Sequence, residues 1–217
     1  MLSIEKIANL RKEYTLASLD IADVPPNPLV LFEKWFQQAL DSQVLEANAM
    51  FLATVDAENK PSGRVVLLKG IENGNFLFYT NYLSRKGQEI AHNPHVCLTF
   101  FWAELERQVR IEGTASQASA QTSDNYFHSR PRDSQIGAWV SPQSQVIQSR
   151  DFLEKSWEFY VQQFSGKELI QRPPYWGGYA VSPQKIEFWQ GRPSRLHDRI
   201  LYTLQSDNTW KIERLAP

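Results

Sequence analysis

The stretch from Ala49 to about Ala118 constrains this chain most. It holds five short apolar runs, "AMFLATVD", "RVVLLKG", "NFLFYTN", "HVCLTFFW" and "RQVRIEGTA", each bounded by turn-forming residues. Runs of this length, rich in β-branched and aromatic residues, read as strands. "ENGN" between the second and third is a tight-turn sequence that would join them as a hairpin. The pattern returns near the C-terminus in "YWGGYAVS", "KIEFWQG", "RILYTLQ" and "WKIERLA". Helices are predicted at four places between and before the strands. Asn27 can cap a helix whose first residue is Pro28 and whose apolar face carries Leu29, Phe32, Trp35 or Phe36 and Leu40. Ser84 can cap "SRKGQEIAHN", and two more helices are expected near "SAQTSDNYFHSR" and "SRDFLEKSWEFYVQQF". Antiparallel strands with helices grouped among them suggest a barrel-centred α+β domain rather than alternating βαβ units.

Pro25, Pro26 and Pro28 punctuate the end of the first segment, so residues 1–26 are expected to form a mobile N-terminal arm and residues 27–217 a single domain. The opening lacks the apolar stretch of a signal peptide, and no run of 18 apolar residues occurs; the expectation is a cytoplasmic protein without a membrane partner. With 23 Lys+Arg against 24 Asp+Glu, the chain shows no basic excess of the kind nucleic-acid binding uses, so no nucleic-acid partner is expected. The single cysteine, Cys97, leaves no intrachain disulfide and too few thiolates for a cysteine zinc site; it reads as core filling, and no metal is expected. GxGxxG, Walker and HExxH patterns are all missing from the sequence.

In a near-neutral chain, local clusters of positive charge need local explanations. In "RLHDR", Arg195, His197 and Arg199 are two apart, so an extended strand would present all three on one face and turn Asp198 away. The same pattern would serve a solvated strand with charge pairs. In "RVVLLK", Arg64 and Lys69 are five apart and would face opposite ways on a regular strand, serving two partners unless a bulge intervenes. "YFHSRPRDSQIGAW" places Tyr126 and Arg130 on one helix face, with Pro131 leaving Arg130, Arg132 and Ser134 at an exposed corner suited to phosphate or carboxylate; Arg132 with Asp133 would equally make an ion pair. Ser84, Arg85 and Lys86 open a predicted helix, where free amides and the helix dipole favour an anion. Four such groups together suggest two phosphate-bearing ligands.

"RVVLLK", "FYTN", "SRK", "ERQVRIEG", "YFHSRPRDSQIGAW", "IEFWQG", "RLHDR" and the terminal "RLAP" stand in the order and approximate spacing of the pyridoxine (pyridoxamine) 5'-phosphate oxidases, which the chain resembles from about Arg11 to Pro217. The resemblance implies an α+β fold, an FMN-binding split β-barrel with flanking helices, assembled as a homodimer with FMN at the subunit interface. It implies oxidation of pyridoxine 5'-phosphate and pyridoxamine 5'-phosphate to pyridoxal 5'-phosphate, with O2 as acceptor and hydrogen peroxide released. Carried over by position, the FMN residues would be Arg64, Val65, Val66, Leu67, Leu68, Lys69, Tyr79, Thr80, Arg85, Lys86, Gln108, Gln143, Ser144, Trp189 and Arg199. Substrate contacts would fall on Lys69, Tyr126, Arg130 and Ser134 around the phosphate, and on Arg195, Leu196 and His197 nearer the ring. Arg195 and His197 are the implied catalytic pair. The segment Arg11, Lys12, Glu13 and Tyr14 resembles a lid over the substrate.

Two rival readings use the same residues differently. A non-enzymatic flavin or haem carrier on this scaffold would keep the strands but have no use for "RPRDSQ" and "RLHDR" together. A nucleic-acid module would use the arginines and seven tryptophans as phosphate contacts and stacking platforms, against the near-neutral charge.

Overall fold

A computed structural model of the chain describes residues 7–10 and 12–217. The strands are β1 (Ala49–Val55), β2 (Pro61–Leu67), β3 (Gly70–Glu72), β4 (Asn75–Asn81), β5 (His95–Trp102), β6 (Arg107–Gln117), β7 (Trp176–Gln190), β8 (Asp198–Leu204) and β9 (Trp210–Leu215). The longer helices are α1 (Pro28–Asp41), α2 (Arg85–His92), α3 (Ala120–Ser129), α4 (Arg132–Val140) and α5 (Arg150–Gln163). Hydrogen bonding orders the strands β2-β1-β5-β6-β7-β4-β3, with β8 on β7 and β9 on β8. The chain forms two compact units: one of the described residues up to Asn48 with Thr99–Ile111 and Gln184–Pro217, the other of Ala49–Leu98 and Glu112–Pro183.

In the first unit, helix α1 starts where Asn27 accepts a hydrogen bond from Leu29 N at 3.0 Å and Pro28 occupies the first turn, where its missing N–H costs nothing. Its buried stripe is Pro28, Leu31, Phe32, Trp35 and Ala39. That is rotated from the expected face, since Leu40 is exposed. Phe32 meets Phe100 edge-on at 5.2 Å between centroids, and Trp35 meets Phe188 at 5.2 Å and 87°. Each such aromatic pair adds about 0.5–1.5 kcal/mol beyond area burial. β8 pairs antiparallel with β7, Trp189 opposite Arg199, and β9 pairs antiparallel with β8.

In the second unit, β1 and β2 form an antiparallel hairpin around Asp56, whose carboxylate accepts from Glu58 N and Lys60 N at 2.9 Å each. β4 pairs antiparallel with β7, Phe76 opposite Val181 through Asn81 opposite Trp176. Phe127, Ile136, Ala138, Phe164, Ile170 and Trp176 form the core beneath the helices.

Several sequence expectations are corrected here. The turn at Asn73 and Gly74, with φ 51° and 79°, joins β4 to the short β3, whereas Arg64–Leu67 of "RVVLLK" pair with β1. The runs "YWGGYAVS" and "KIEFWQG" are one strand, β7, because Pro183 is accommodated within it. Pro131 does not merely end a helix; it is the N-cap of α4, which the sequence reading missed. Cys97 is half-buried rather than core filling. "RLHDR" is not one extended strand: Pro193–Arg195 is a 3-10 turn with Ser194 and Arg195 at φ 55° and 61°, and β8 begins only at Asp198.

Candidate functional site

The second unit contains a cavity of about 360 Å³. Its lining is Arg64, Val65, Val66, Leu67, Lys69, Tyr79, Thr80, Lys86, Tyr126, Arg130, Gln143 and Trp176. Arg64 and Lys69 thus share one cavity. Strand β2 ends at Leu67, and the Lys69 N–H donates to Leu77 O of β4 at 2.8 Å, so strict alternation does not carry from one residue to the other. All of the lining except Trp176 was assigned from the sequence. "YWGG" reads there only as a strand, with nothing to mark its tryptophan as a pocket wall.

Helix α2 delivers Lys86. Ser84 caps the helix by accepting from Gly87 N at 3.3 Å, and Gly87 packs so close to Tyr82 that an added Cβ would lie 2.2 Å from its carbonyl oxygen. Lys86 Nζ donates to Gln143 Oε1 at 2.9 Å and Thr80 Oγ1 at 3.1 Å, both neutral acceptors. Burial, reinforced by the Arg64 charge and opposed by Glu89, lowers the Lys86 pKa to about 8. Arg64 is braced from behind. Its guanidinium donates to Thr54 Oγ1, to Ser62 Oγ at 2.6 Å and to Glu89 Oε2 at 3.1 Å. Glu89 is 4% exposed and also accepts from Arg85 Nε at 2.8 Å. Burial alone would raise the Glu89 pKa, but donors from Thr54, Ser62, Arg85 and Arg64 outweigh it and hold the value at about 2.

Arg130, at the C-terminal end of α3, lies 4.6 Å over the Trp176 ring, and burial lowers its pKa. Its buried Nη1 has no hydrogen-bond partner. A buried donor left unpaired costs about 1–3 kcal/mol, which an anionic ligand would relieve. Tyr126 stacks on Tyr79 at 3.8 Å and 20°. Leu68, Arg85, Ser134 and Ser144 belong to the same unit but stand outside the lining. Arg132 donates to Phe164 O at 2.6 Å instead of serving the cavity.

The first unit contains a second cavity, of about 660 Å³, lined by Leu10, Lys12, Glu13, Tyr14, Trp189, Arg192, Ser194, Arg195 and His197. Arg11 lies outside the described residues. Tyr14 meets Trp189 edge-on at 5.6 Å and His197 at 5.7 Å, and Trp189 lies 4.6 Å from His197. The Arg192 N–H donates to His197 Nδ1 at 3.1 Å, so the neutral ring carries its proton on Nε2. Burial and the Arg195 charge lower the His197 pKa against the pull of Asp198, favouring that neutral form. Leu196 is exposed and outside the lining, and Gln108 lies on β6. Arg199 departs from the expected cationic wall: it pairs with Glu187 at 2.8 Å, beside Arg110 at 2.6 Å, and donates to Ala216 O at 2.7 Å.

Among the described residues lining the second-unit cavity, four are cationic and none is acidic. One of them, Arg130, carries the orphaned donor, another, Lys86, is desolvated, and the stacked Tyr79–Tyr126 pair adjoins them, an arrangement chemically suited to an anionic, ring-bearing ligand. Residues 36–160 match the family described as "Pyridoxamine 5'-phosphate oxidase", and residues 176–217 match "Pyridoxine 5'-phosphate oxidase C-terminal dimerisation region". The chain is 57% identical over 212 residues to a pyridoxine/pyridoxamine 5'-phosphate oxidase of Leptospira interrogans, covering 98% of this chain and 99% of that one. It is 54% identical over 211 residues to the protein of that name from Cyanothece sp., covering 97% and 98%. Among solved structures it is similar to PhzG from Burkholderia lata in complex with tetrahydrophenazine-1-carboxylic acid, with TM-score 0.84, 28% identity and coverage of 93% and 100%. A pyridoxamine 5'-phosphate oxidase-related, FMN-binding protein from Nostoc punctiforme shares the fold, with TM-score 0.72, 16% identity and coverage of 89% and 100%. The fold is the expected α+β split barrel with flanking helices. The chain belongs to the pyridoxine/pyridoxamine 5'-phosphate oxidase family and is an oxidoreductase of it.

Proposed function

We propose that this protein oxidises pyridoxine 5'-phosphate and pyridoxamine 5'-phosphate to pyridoxal 5'-phosphate in vitamin B6 biosynthesis and salvage. FMN would be its cofactor and O2 the electron acceptor, with hydrogen peroxide released and ammonia also formed from the amine. The observation that carries this reading is the acid-free cavity where Arg64, Lys69, Lys86 and Arg130 converge, one of them with a buried donor unpaired. Bound FMN supplies a two-electron oxidant that O2 regenerates.

The chain's own residues hold and orient. Arg64, Thr80, Arg85, Lys86 and Gln143 would grip the FMN phosphate, and Lys69, Tyr126, Arg130 and Ser134 the substrate phosphate. Val65, Val66, Leu67 and Leu68 supply backbone and apolar wall, while Gln108, Ser144, Trp189 and Arg199 complete the cofactor contacts. Arg195 and His197 orient the substrate ring. His197, neutral with its proton on Nε2, acts as a donor there rather than as the base that takes the substrate's proton. Positioning of this kind supplies much of the rate. FMN would sit at the interface of a homodimer, with residues from both protomers, and the N-terminal arm, of which residues 1–6 and 11 lie outside the described residues, would cover the substrate through Lys12, Glu13 and Tyr14 in a cytoplasmic enzyme.

Purified protein should be yellow, sediment at about 50 kDa at micromolar concentration as a dimer of the 25.1 kDa chain, and consume O2 on addition of either B6 phosphate. Colourless protein that stays inactive after FMN addition would overturn the reading.

A further inference from the structure

Residues 12–19 belong to no helix or strand, so no ladder fixes them, yet Tyr14 walls the first-unit cavity beside Trp189 and His197. Their backbone groups are held by side chains. At the far end, Leu19 N donates to Asp198 Oδ2 at 3.0 Å, and Arg192 donates to Ala17 O at 3.2 Å. Next to Tyr14 the holder is Glu106. Its Oε2 accepts from two successive amides, Thr15 N at 2.9 Å and Leu16 N at 3.1 Å, and its Oε1 lies 3.4 Å from Lys12 Nζ. Consecutive N–H groups converging on one oxygen form an anion-binding concavity, here closed around a carboxylate whose side chain is 2% exposed.

Glu106 is itself rigidly placed. It stands at the turn between β5 and β6 with φ 56° and ψ 40°, and its carbonyl accepts from Gly191 N at 2.7 Å and Gln190 Nε2 at 3.2 Å. Glycine or asparagine meets a left-handed turn position with less strain than glutamate. The turn geometry therefore does not explain glutamate here, and the carboxylate's reach to the strap does. The fit is tight: a Cβ on Gly191 would lie 2.7 Å from Tyr14 Cγ and 3.1 Å from Glu106 Cβ.

We propose that Glu106 is the positioning residue that fixes the strap of residues 12–19, so that Tyr14 stays against Trp189 and His197 and the ring-bearing ligand is retained. The proposal rests on the reading that this cavity receives the ring of a B6 phosphate. Glu106 touches no ligand itself and acts through Tyr14.

The test is a double-mutant cycle of Glu106→Ala and Tyr14→Ala in the full-length, FMN-loaded protein, read as the Kd of pyridoxal 5'-phosphate and the KM of pyridoxamine 5'-phosphate. Each single substitution should weaken both by about tenfold, with kcat and FMN affinity changed by less than about twofold, and the double variant should be no weaker than the weaker single. Trypsin cleavage after Lys12 should accelerate in Glu106→Ala. Glu106→Gln, which keeps an acceptor oxygen for both amides, should restore most of the affinity and protection, and it remains testable if the alanine variant fails to fold. Additive losses of about a hundredfold, or a lowered Tm with unchanged KM and unchanged cleavage, would overturn the proposal. Wild-type protein that oxidises neither phosphate would instead overturn the functional reading, while the trypsin rates still decide the strap.

Discussion

Arg64 and Arg195 each line a cavity, but they are held in different ways. Arg64 projects from strand β2 and is gripped by Thr54, Ser62 and the buried Glu89. Arg195 is exposed, sits at φ 61° in a short turn, and shares its cavity with a strap that, among the described residues, side chains tie down. A phosphate carries the same charge throughout a reaction cycle, so a preorganised grip on it has no reason to move. A ring that must enter, react and leave needs walls that can open, and irregular backbone supplies them. Breaking the brace on Arg64 should therefore cost both stability and cofactor affinity, whereas loosening the strap should change substrate terms.

The largest expected effect follows from Glu89→Ala. It leaves the Arg64 charge and the Thr54 and Ser62 hydroxyls without their buried acceptor, a loss of about 3–5 kcal/mol in stability. FMN affinity should fall by on the order of a hundredfold or more as Arg64 loses its orientation. Thermal melts and FMN titrations would check both. The same group sets an acid limit. Because the folded pKa is about 2 against the ordinary 4.5 that applies in the unfolded chain, Glu89 contributes its stability above about pH 4.5 and loses it progressively as pH falls toward 2. Acid unfolding of wild type but not of Glu89→Gln should show that window.

A smaller effect comes from Lys86. Its folded pKa near 8 lies below the ordinary 10.5, so the empty site sheds this proton as pH rises through 8, while a bound phosphate would restore the charge. Affinity for FMN should therefore be greatest below pH 8 and decline above it, by at most about tenfold per pH unit for one group. Lys86→Met should flatten that slope, as read by flavin fluorescence titration.

The smallest effect tests the strap side. Gly191→Ala places a methyl against Tyr14, whose segment yields more easily than the strand beneath it. KM for pyridoxamine 5'-phosphate should rise about three- to tenfold with FMN affinity unchanged. A loss of FMN in this variant would contradict the assignment of the strap to substrate binding.

How much of this was legible in the sequence follows the same division. Asn27, Ser84 and the alternating apolar runs are local signals, and they place α1, α2 and most strand cores to within a few residues. The cavity lining in the second unit was also legible, through residue types at family-like spacing. Glu89 and Glu106 were not. A buried carboxylate reads in sequence like any solvated one, and its importance appears only when Ser62 and Arg64, or Thr15 and Leu16, arrive from distant positions. Extending the period-two rule through "RLHDR" failed because Ser194 and Arg195 adopt left-handed backbone conformations that residue type alone does not announce.

The central claim is a division of labour between phosphate grip and ring placement, and anaerobic stopped-flow reduction of the bound flavin tests it most directly. Lys69→Ala should lose charge-assisted contacts of about 1.5–3 kcal/mol, or about 10- to 150-fold in the second-order rate constant for reduction by pyridoxine 5'-phosphate, and almost nothing with unphosphorylated pyridoxine. Arg195→Ala should slow reduction by both substrates alike, because its partner is the ring. The same dependence on the substrate phosphate in the two variants would contradict the division, even in an enzyme that makes pyridoxal 5'-phosphate.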